Sequence, residues 1–249
     1  MPFIKTRMGN SYVLKGENAV QSRQQMNTRH TLVKKTTKLV GRRWLSESAF
    51  EIELSRPENF HFTAGHTIQL IYQSEKRYYS IASAPDDPTV LLCVNFIEKG
   101  YFSSLLASAE IGFKLELSGP HGYFTFSQSP RPPVFIATDT GIAPFVSMAR
   151  SGLKGFTLLH GARHAGELYY QDLLRQSAHQ YLPISWVISD QDHVSSDQFH
   201  GKIIDLLEQH LKPERYDFYL CGWQKMIKDV THLVDDRYPG SHLYTEVFF

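Results

Sequence analysis

From Thr31 to Phe126, apolar and polar residues alternate in short runs broken by turn residues. Ala49–Leu54, Thr67–Tyr72, Arg77–Ser83, Val90–Phe96 and Phe113–Leu117 are rich in β-branched and aromatic side chains. Pro57, Gly65, Pro85–Asp87, Gly100 and Gly112 punctuate them. Short strands at this spacing predict a barrel or sandwich. One helix is expected after Gly100, where Phe102, Leu105 and Leu106 recur at helical spacing. Ser127–Pro133 (SQSPRPP) reads as a linker, and beyond it the period changes. Apolar strands at Val134–Thr138, Phe156–His160, Ile184–Ser189, Phe218–Cys221 and Leu243–Phe248 alternate with helical faces. Those faces are marked by Tyr170, Leu173 and Leu174, by Ile204, Leu207 and Leu211, and by Ile227, Val230 and Val234. Strands interleaved with helices predict a parallel sheet with right-handed crossovers. The expected organisation is an all-β domain at 31–126, a linker at 127–133 and an α/β parallel-sheet domain of nucleotide-binding type at 134–249.

Composition narrows the function classes. The chain has 249 residues, 42% hydrophobic and 20% charged, which is ordinary for globular domains. No apolar run approaches the ~18–20 residues of a membrane-spanning helix, and the expected location is cytoplasmic. Two cysteines, Cys93 and Cys221, cannot form a disulfide framework or a four-thiolate cluster. The net charge of +1 argues against nucleic-acid binding but is uneven along the chain. Residues 1–43 carry ten lysines and arginines against one acid, Glu17, while the remainder is net −8. Residues 1–30 read as a basic N-terminal extension: a flexible tail, residues ahead of a natural start at Met8 or Met26, or a weakly transit-like segment. His160 and His164 stand four apart but flank the Gly161 turn, so no metal site is expected there.

Four segments carry candidate chemistry. RYYSIAS, Arg77 to Ser83, alternates Arg77, Tyr79 and Ile81 on one strand face with Tyr78 and Ser80 on the other. A guanidinium beside an aromatic ring and hydroxyls suits a phosphate-bearing aromatic ligand. GYFSS, Gly100 to Ser104, opens a helix with groups that can receive an anion. VFIATDTGIAP runs a strand into Thr138-Asp139-Thr140-Gly141 and then a helix with Pro144 near its start. FYLCGW places Cys221-Gly222 at the carboxyl end of a strand, the edge where open α/β sheets bind ligands. Each alone is as well explained by capping or packing.

Together, R-x-Y-S-x-x-S, G-P-x-G-x-F, T-G-I-A-P and C-G, in this order over residues 31–249, resemble the ferredoxin–NADP reductase superfamily. The resemblance implies an antiparallel β-barrel that binds FAD, followed by the α/β parallel-sheet domain that binds NAD(P). By motif, Arg77 and Ser103 would hold the flavin diphosphate, with Ser104 beside them. Tyr79 would stack on the isoalloxazine, and Ser80 would bond near flavin N5. Ile81, Ser83, Cys93 and Val94 would complete the FAD site. Gly119, Pro120, Gly122 and Phe124 look like the family's barrel-closing segment. Thr138, Thr140, Gly141, Arg163, Ser189, Asp190 and Gly222 would meet the coenzyme, and Cys221 would sit at the reacting nicotinamide carbon. The chain ends Glu246-Val247-Phe248-Phe249, similar to the Glu-Val-aromatic end of plant-type members, with one further aromatic as in some bacterial ones. Ser80, Cys221, Glu246 and Phe248 are thus the implied catalytic set. Phe248 and Phe249 would also cover the flavin, and Phe248 would have to move for the nicotinamide.

Two positions depart from the family. Asp139 replaces a usual glycine on the segment facing the dinucleotide. At ~4 Å from a phosphate, its charge costs about 1 kcal/mol in water and about 4 at an effective dielectric of 20. Ser189-Asp190 stands where NADP-using members often have Ser-Arg, and an Asp accepts from a free ribose 2′-hydroxyl, so NADH is favoured over NADPH. The implied function is a monomeric flavin-dependent oxidoreductase. It would move hydride between NAD(P)H and bound FAD, and single electrons to a separate carrier such as a ferredoxin, a flavodoxin or an oxygenase component. Two alternatives remain: an NAD(P)H:flavin reductase releasing reduced flavin, and a non-catalytic flavin-binding electron-transfer or regulatory subunit.

Overall fold

The computed structural model describes residues 34–187 and 198–248, with Phe248 by its backbone only, and the backbone of two short antiparallel strands, β1 (Thr6–Met8) and β2 (Ser11–Val13). Ser189, Asp190, Phe249 and most of the basic extension lie outside the described residues.

The first large sheet is antiparallel throughout. Its strands are β3 (Lys35–Trp44), β4 (Ala49–Ser55), β5 (Thr67–Tyr72), β6 (Glu75–Ser80), β7 (Thr89–Asn95) and β8 (Lys114–His121), in the order β6-β5-β8-β3-β4-β7. An isolated bridge, Ile81 to Leu92, joins the two ends and curls the sheet into a barrel. The same bridge explains why β6 ends at Ser80 and not at Ser83. Beyond Ser80 the chain leaves β5: Ile81 N–H donates to His66, and Ala82 N–H to Leu91. The interior is filled by Leu39, Phe50, Ile52, Leu54, Ile68, Leu70, Leu92 and Leu117. The helix expected after Gly100 is α1, Tyr101–Ser108, with Phe102 and Leu106 buried.

The second sheet is parallel at every pairing, in the order β12-β11-β10-β9-β13-β14. Its strands are β9 (Pro133–Thr138), β10 (Thr157–Ala162), β11 (Gln180–Ser185), β12 (Phe199–His200), β13 (Asp217–Trp223) and β14 (His242–Phe248). Among the described residues, four α-helices cover it: α2 (Ala143–Arg150), α3 (Gln171–Ser177), α4 (Ile203–His210) and α5 (Gln224–Arg237). The strand expected at Ile184–Ser189 lies earlier, at Gln180–Ser185. Pro183 is tolerated inside it because β12 pairs only with Ile184 and Ser185, so no ladder bond falls to its missing N–H on that side. From β9 the chain runs outward through β10 to β12, then returns to the opposite side as β13. That reversal opens a crevice at the carboxyl ends of β9 and β13.

The two sheets share one apolar seam. Ala49, Ala82, Leu91, Cys93 and Phe124 of the barrel side pack in one cluster with Phe135, Ala143, Phe145 and Tyr219. Phe124, read as part of the barrel-closing segment, sets its ring edge-on against Phe145 at 5.7 Å and Tyr219 at 5.9 Å. Ser147 Oγ donates to the Ser83 carbonyl (2.6 Å), Ser48 Oγ to Glu167 (2.6 Å) and Tyr170 Oη to Glu51 (3.0 Å).

Candidate active site

A cavity of about 350 Å³ opens over this seam where the crevice meets β6, β7 and α1. On its barrel wall stand Arg77, Tyr78, Tyr79 and Ser80. The expected alternation of faces does not separate them: all four residues line the opening, along the edge strand of the sheet. The Arg77 guanidinium is more than half exposed, donates to the Lys76 carbonyl at 2.7 Å and lies 3.5 Å from Glu75. The Tyr79 ring lies 6.4 Å from that of Phe102, and burial pushes its hydroxyl pKa well above the ordinary value.

Gly100, Tyr101, Phe102 and Ser103 bring the start of α1 to the same opening. No side chain caps this helix. Ser103 Oγ donates to the Ile97 carbonyl (3.0 Å) and accepts from Ile97 N–H (3.1 Å), while Ser104 Oγ donates to Glu98 (3.2 Å). Both hydroxyls are engaged in the preceding turn, so the helix start offers an anion its backbone N–H groups.

The opposite wall is built from backbone turns. Thr138 ends β9 and Asp139, Thr140, Gly141 and Ala143 follow it; Gly222 and Trp223 end β13. These turns fit because two glycines let them touch. A Cβ on Gly141 would lie 2.5 Å from the Cys221 carbonyl oxygen, and one on Gly222, at φ +139°, 2.1 Å from Thr138 Oγ1. Gly141 thus serves contact between the two turns while also lining the cavity. Thr138 Oγ1 accepts from Trp223 N–H at 3.0 Å. Asp139 also has positive φ, +50°, a conformation that favours glycine and tolerates Asp.

Behind the cavity the terminal strand meets the barrel. Ser80 Oγ donates to Glu246 Oε2 at 2.7 Å, and Cys221 Sγ lies 4.0 Å from the same oxygen. Burial pushes the Glu246 carboxyl up to about 7, partly offset by the Ser80 hydrogen bond. Burial, with Glu246 beside it, holds the Cys221 thiol well above its ordinary value. Cys221 is fully buried behind Gly222 and is not among the cavity-lining residues.

The remaining expected residues divide. Cys93 lines the cavity, its thiol pushed to about 12 chiefly by burial. Ile81 and Val94 belong to the barrel interior. Ser83 Oγ accepts from Leu91 N–H at 3.1 Å, inside the seam. Arg163 is exposed just past β10, outside the cavity lining. Phe248 pairs with Trp223 in the β13–β14 ladder. Fully buried His160 sets Nδ1 2.9 Å from the Tyr181 hydroxyl. Asn95, Ile97, Tyr101 and Trp223 line the cavity without having been singled out. Trp223 follows the Cys-Gly pair directly and packs against Trp186 at 5.2 Å, a signal available in FYLCGW.

Comparison with known proteins converges on this architecture. The oxidoreductase FAD-binding domain family matches residues 37–126, and the oxidoreductase NAD-binding domain family matches residues 135–232. Ferredoxin–NADP reductase B of Sorangium cellulosum is 38% identical over 154 residues, 57% of this chain and 63% of its own length. The toluate 1,2-dioxygenase electron transfer component of Pseudomonas putida is 28% identical over 203 residues, 77% of this chain and 60% of its own. The chain thus spans less than two thirds of these curated relatives. A ferredoxin NADP+ reductase from Neisseria gonorrhoeae, solved with bound FAD and NADP, shares the fold with a TM-score of 0.75 at 24% identity, over 87% of this chain and 99% of that one. With an FAD-binding and an NAD-binding oxidoreductase domain in this order, the chain belongs to the ferredoxin–NADP reductase superfamily.

Proposed function

We propose that the protein is a flavin-dependent NAD(P)H oxidoreductase that holds FAD on the barrel wall, receives the coenzyme on the α/β wall, and passes electrons to a separate carrier protein. The domains are 31–126 and 134–249, joined by 127–133. The observation that carries this reading is the 2.7 Å bond between Ser80 and Glu246, which are 166 positions apart, directly behind a cavity that both domains line.

The barrel wall fits a flavin. Tyr79 offers a ring for stacking, Arg77 a planar cation for a diphosphate, and the start of α1 backbone donors for its oxygens. Bound FAD supplies the redox chemistry, taking a hydride from the reduced coenzyme and releasing single electrons. The chain supplies position and proton control. Glu246 accepts from the Ser80 hydroxyl and orients it, and a carboxyl titrating near 7 can hold or release a proton at working pH. Cys221 and Gly222 set the back of the coenzyme wall. Asp190 supports a preference for NADH, and the basic extension supports an acidic carrier steered by charge.

Asp139 favours a second reading, a flavin-binding subunit that does not use pyridine nucleotide. Anaerobic mixing of the yellow protein with NADH and with NADPH separates the two. Flavin bleaching is expected, faster with NADH; no bleaching with either coenzyme defeats the enzyme reading.

A further inference from the structure

Among the described residues lining the cavity, Arg77 is the single cation, and it stands on the barrel wall; the α/β wall contributes a carboxylate, Asp139. Its Oδ2 is buried with no hydrogen-bond partner. An ionised oxygen in that position is costly, because nothing replaces the water it loses. Burial, with the Glu167 charge nearby, raises the Asp139 carboxyl to about 7.

The groups packed around this turn do not relieve it. β9 and the first turn of α2 bring no titratable side chain, and Arg150 closes α2 at its far end. β13 brings Cys221 and β7 brings Cys93, both thiols held protonated by burial. β10 brings His160, which burial lowers to about 3 and so keeps uncharged. Beyond β10 come the exposed Arg163 and then Glu167, whose carboxylate already accepts from Ser48 Oγ at 2.6 Å and His164 N–H at 3.1 Å.

We propose that dinucleotide binding in this cleft is proton-linked through Asp139: the coenzyme binds the form in which this carboxyl carries its proton, and the ionised carboxylate repels the diphosphate. The inference rests on the coenzyme reading above and adds a control to it. The neutral carboxyl removes both the charge clash and the cost of an unpartnered buried anion. Binding then pulls a proton onto the protein.

The test uses the FAD-loaded full chain titrated with NAD+, whose diphosphate does not change charge between about pH 5.5 and 8.5, unlike a 2′-phosphate that titrates near 6. The flavin difference spectrum reads binding. For the wild type, the dissociation constant is expected to be flat at low pH and to rise towards tenfold per pH unit above about pH 7. Asp139→Asn should bind with a flat pH profile, and roughly tenfold or more tighter than wild type at about pH 8. Asp139→Gly, which also suits the left-handed backbone, should match it. Calorimetry in buffers of different ionisation heat should show proton uptake in the wild type and none in Asp139→Asn. A flat wild-type profile overturns the proposal. So does a slope that survives Asp139→Asn, since it would belong to another group such as Glu246. If NAD+ leaves the flavin spectrum of all three proteins unchanged at every pH, the coenzyme reading itself falls, and the proposal with it.

Discussion

The two walls of the cavity face one another but are made of different material. The barrel wall presents side chains: a ring, a guanidinium, a hydroxyl and an uncapped helix start. The α/β wall is mostly backbone, two turns pressed together through Gly141 and Gly222, with the Trp223 ring, one carboxylate and no cation among its described residues. A surface of rings and a charged fork suits a cofactor that stays, because it offers many simultaneous contacts. A wall of turns carrying a titratable acid suits a co-substrate that must come and go.

The largest expected effect comes from breaking the α/β wall where the turns touch. Gly222→Ala places a methyl 2.1 Å from Thr138 Oγ1 at a φ of +139°, and it must displace the bond from Trp223 N–H. About 3 kcal/mol or more of stability should be lost, a fall in Tm of roughly 5–12 °C. Calorimetric unfolding of the FAD-loaded protein checks it; a wild-type Tm would mean that the turns are not packed as described. Next is Ser80→Ala, which removes the hydroxyl joining the walls. Stopped-flow bleaching by NADH should slow by about 100-fold, the lower end of what a positioned proton donor contributes, while FAD affinity stays within about threefold. Loss of FAD instead of rate would move Ser80 from the reacting centre to cofactor retention.

Each wall was legible in the sequence to a different degree. The strand Thr67–Tyr72 was read with its observed bounds, because TIQLIY pairs on both sides and shows its apolar character plainly. β3 is much fainter: in KTTKLVGRRW only Thr37 and Leu39 are buried, so little alternation marks it. Pro183 displaced the expected third strand of the second sheet, since a missing N–H goes unpunished only where the neighbouring strand is short. The motifs identified Ser80 and Glu246 one by one, but no local pattern reports a bond across 166 positions. Gly141 and Gly222 both line the cavity, and the structure adds a second role for them. Their missing side chains let the two turns touch, a contact between distant segments that no local motif reports.

The burial of Glu246 behind the cavity should also appear in the pH dependence of stability. A carboxyl ordinarily at 4.5 and held near 7 in the folded protein binds its proton more tightly folded than unfolded. Its contribution is therefore complete below the unfolded value and is lost as pH rises through 4.5 to 7. Full loss is about 3 kcal/mol. Glu246→Gln should remove this slope, measured as the difference in denaturant unfolding between variant and wild type from about pH 4.5 to 8. Taking the difference cancels His160, whose lowered value near 3 acts in the opposite direction. Parallel curves for the two proteins would show that Glu246 is ionised at no cost, and that Ser80 and solvent already satisfy it.

The smallest effect sharpens the contrast most. Arg77 is more than half exposed and meets only its near neighbours on the strand, the Lys76 carbonyl and the exposed Glu75 carboxylate, so little of the fold depends on its side chain. Arg77→Ala should leave Tm within about 2 °C, because surface substitutions of this kind stay within about 0.5 kcal/mol. FAD affinity should nevertheless fall about tenfold, the loss of one charge-assisted contact to a diphosphate. Arg77→Lys should recover part of that, since an ammonium keeps the charge but not the planar fork. Affinity for NAD+ measured on FAD-saturated protein should not change in either variant. An equal loss for both ligands would mean that this single cation serves both walls, and that the division between a retaining side and an exchanging side is wrong.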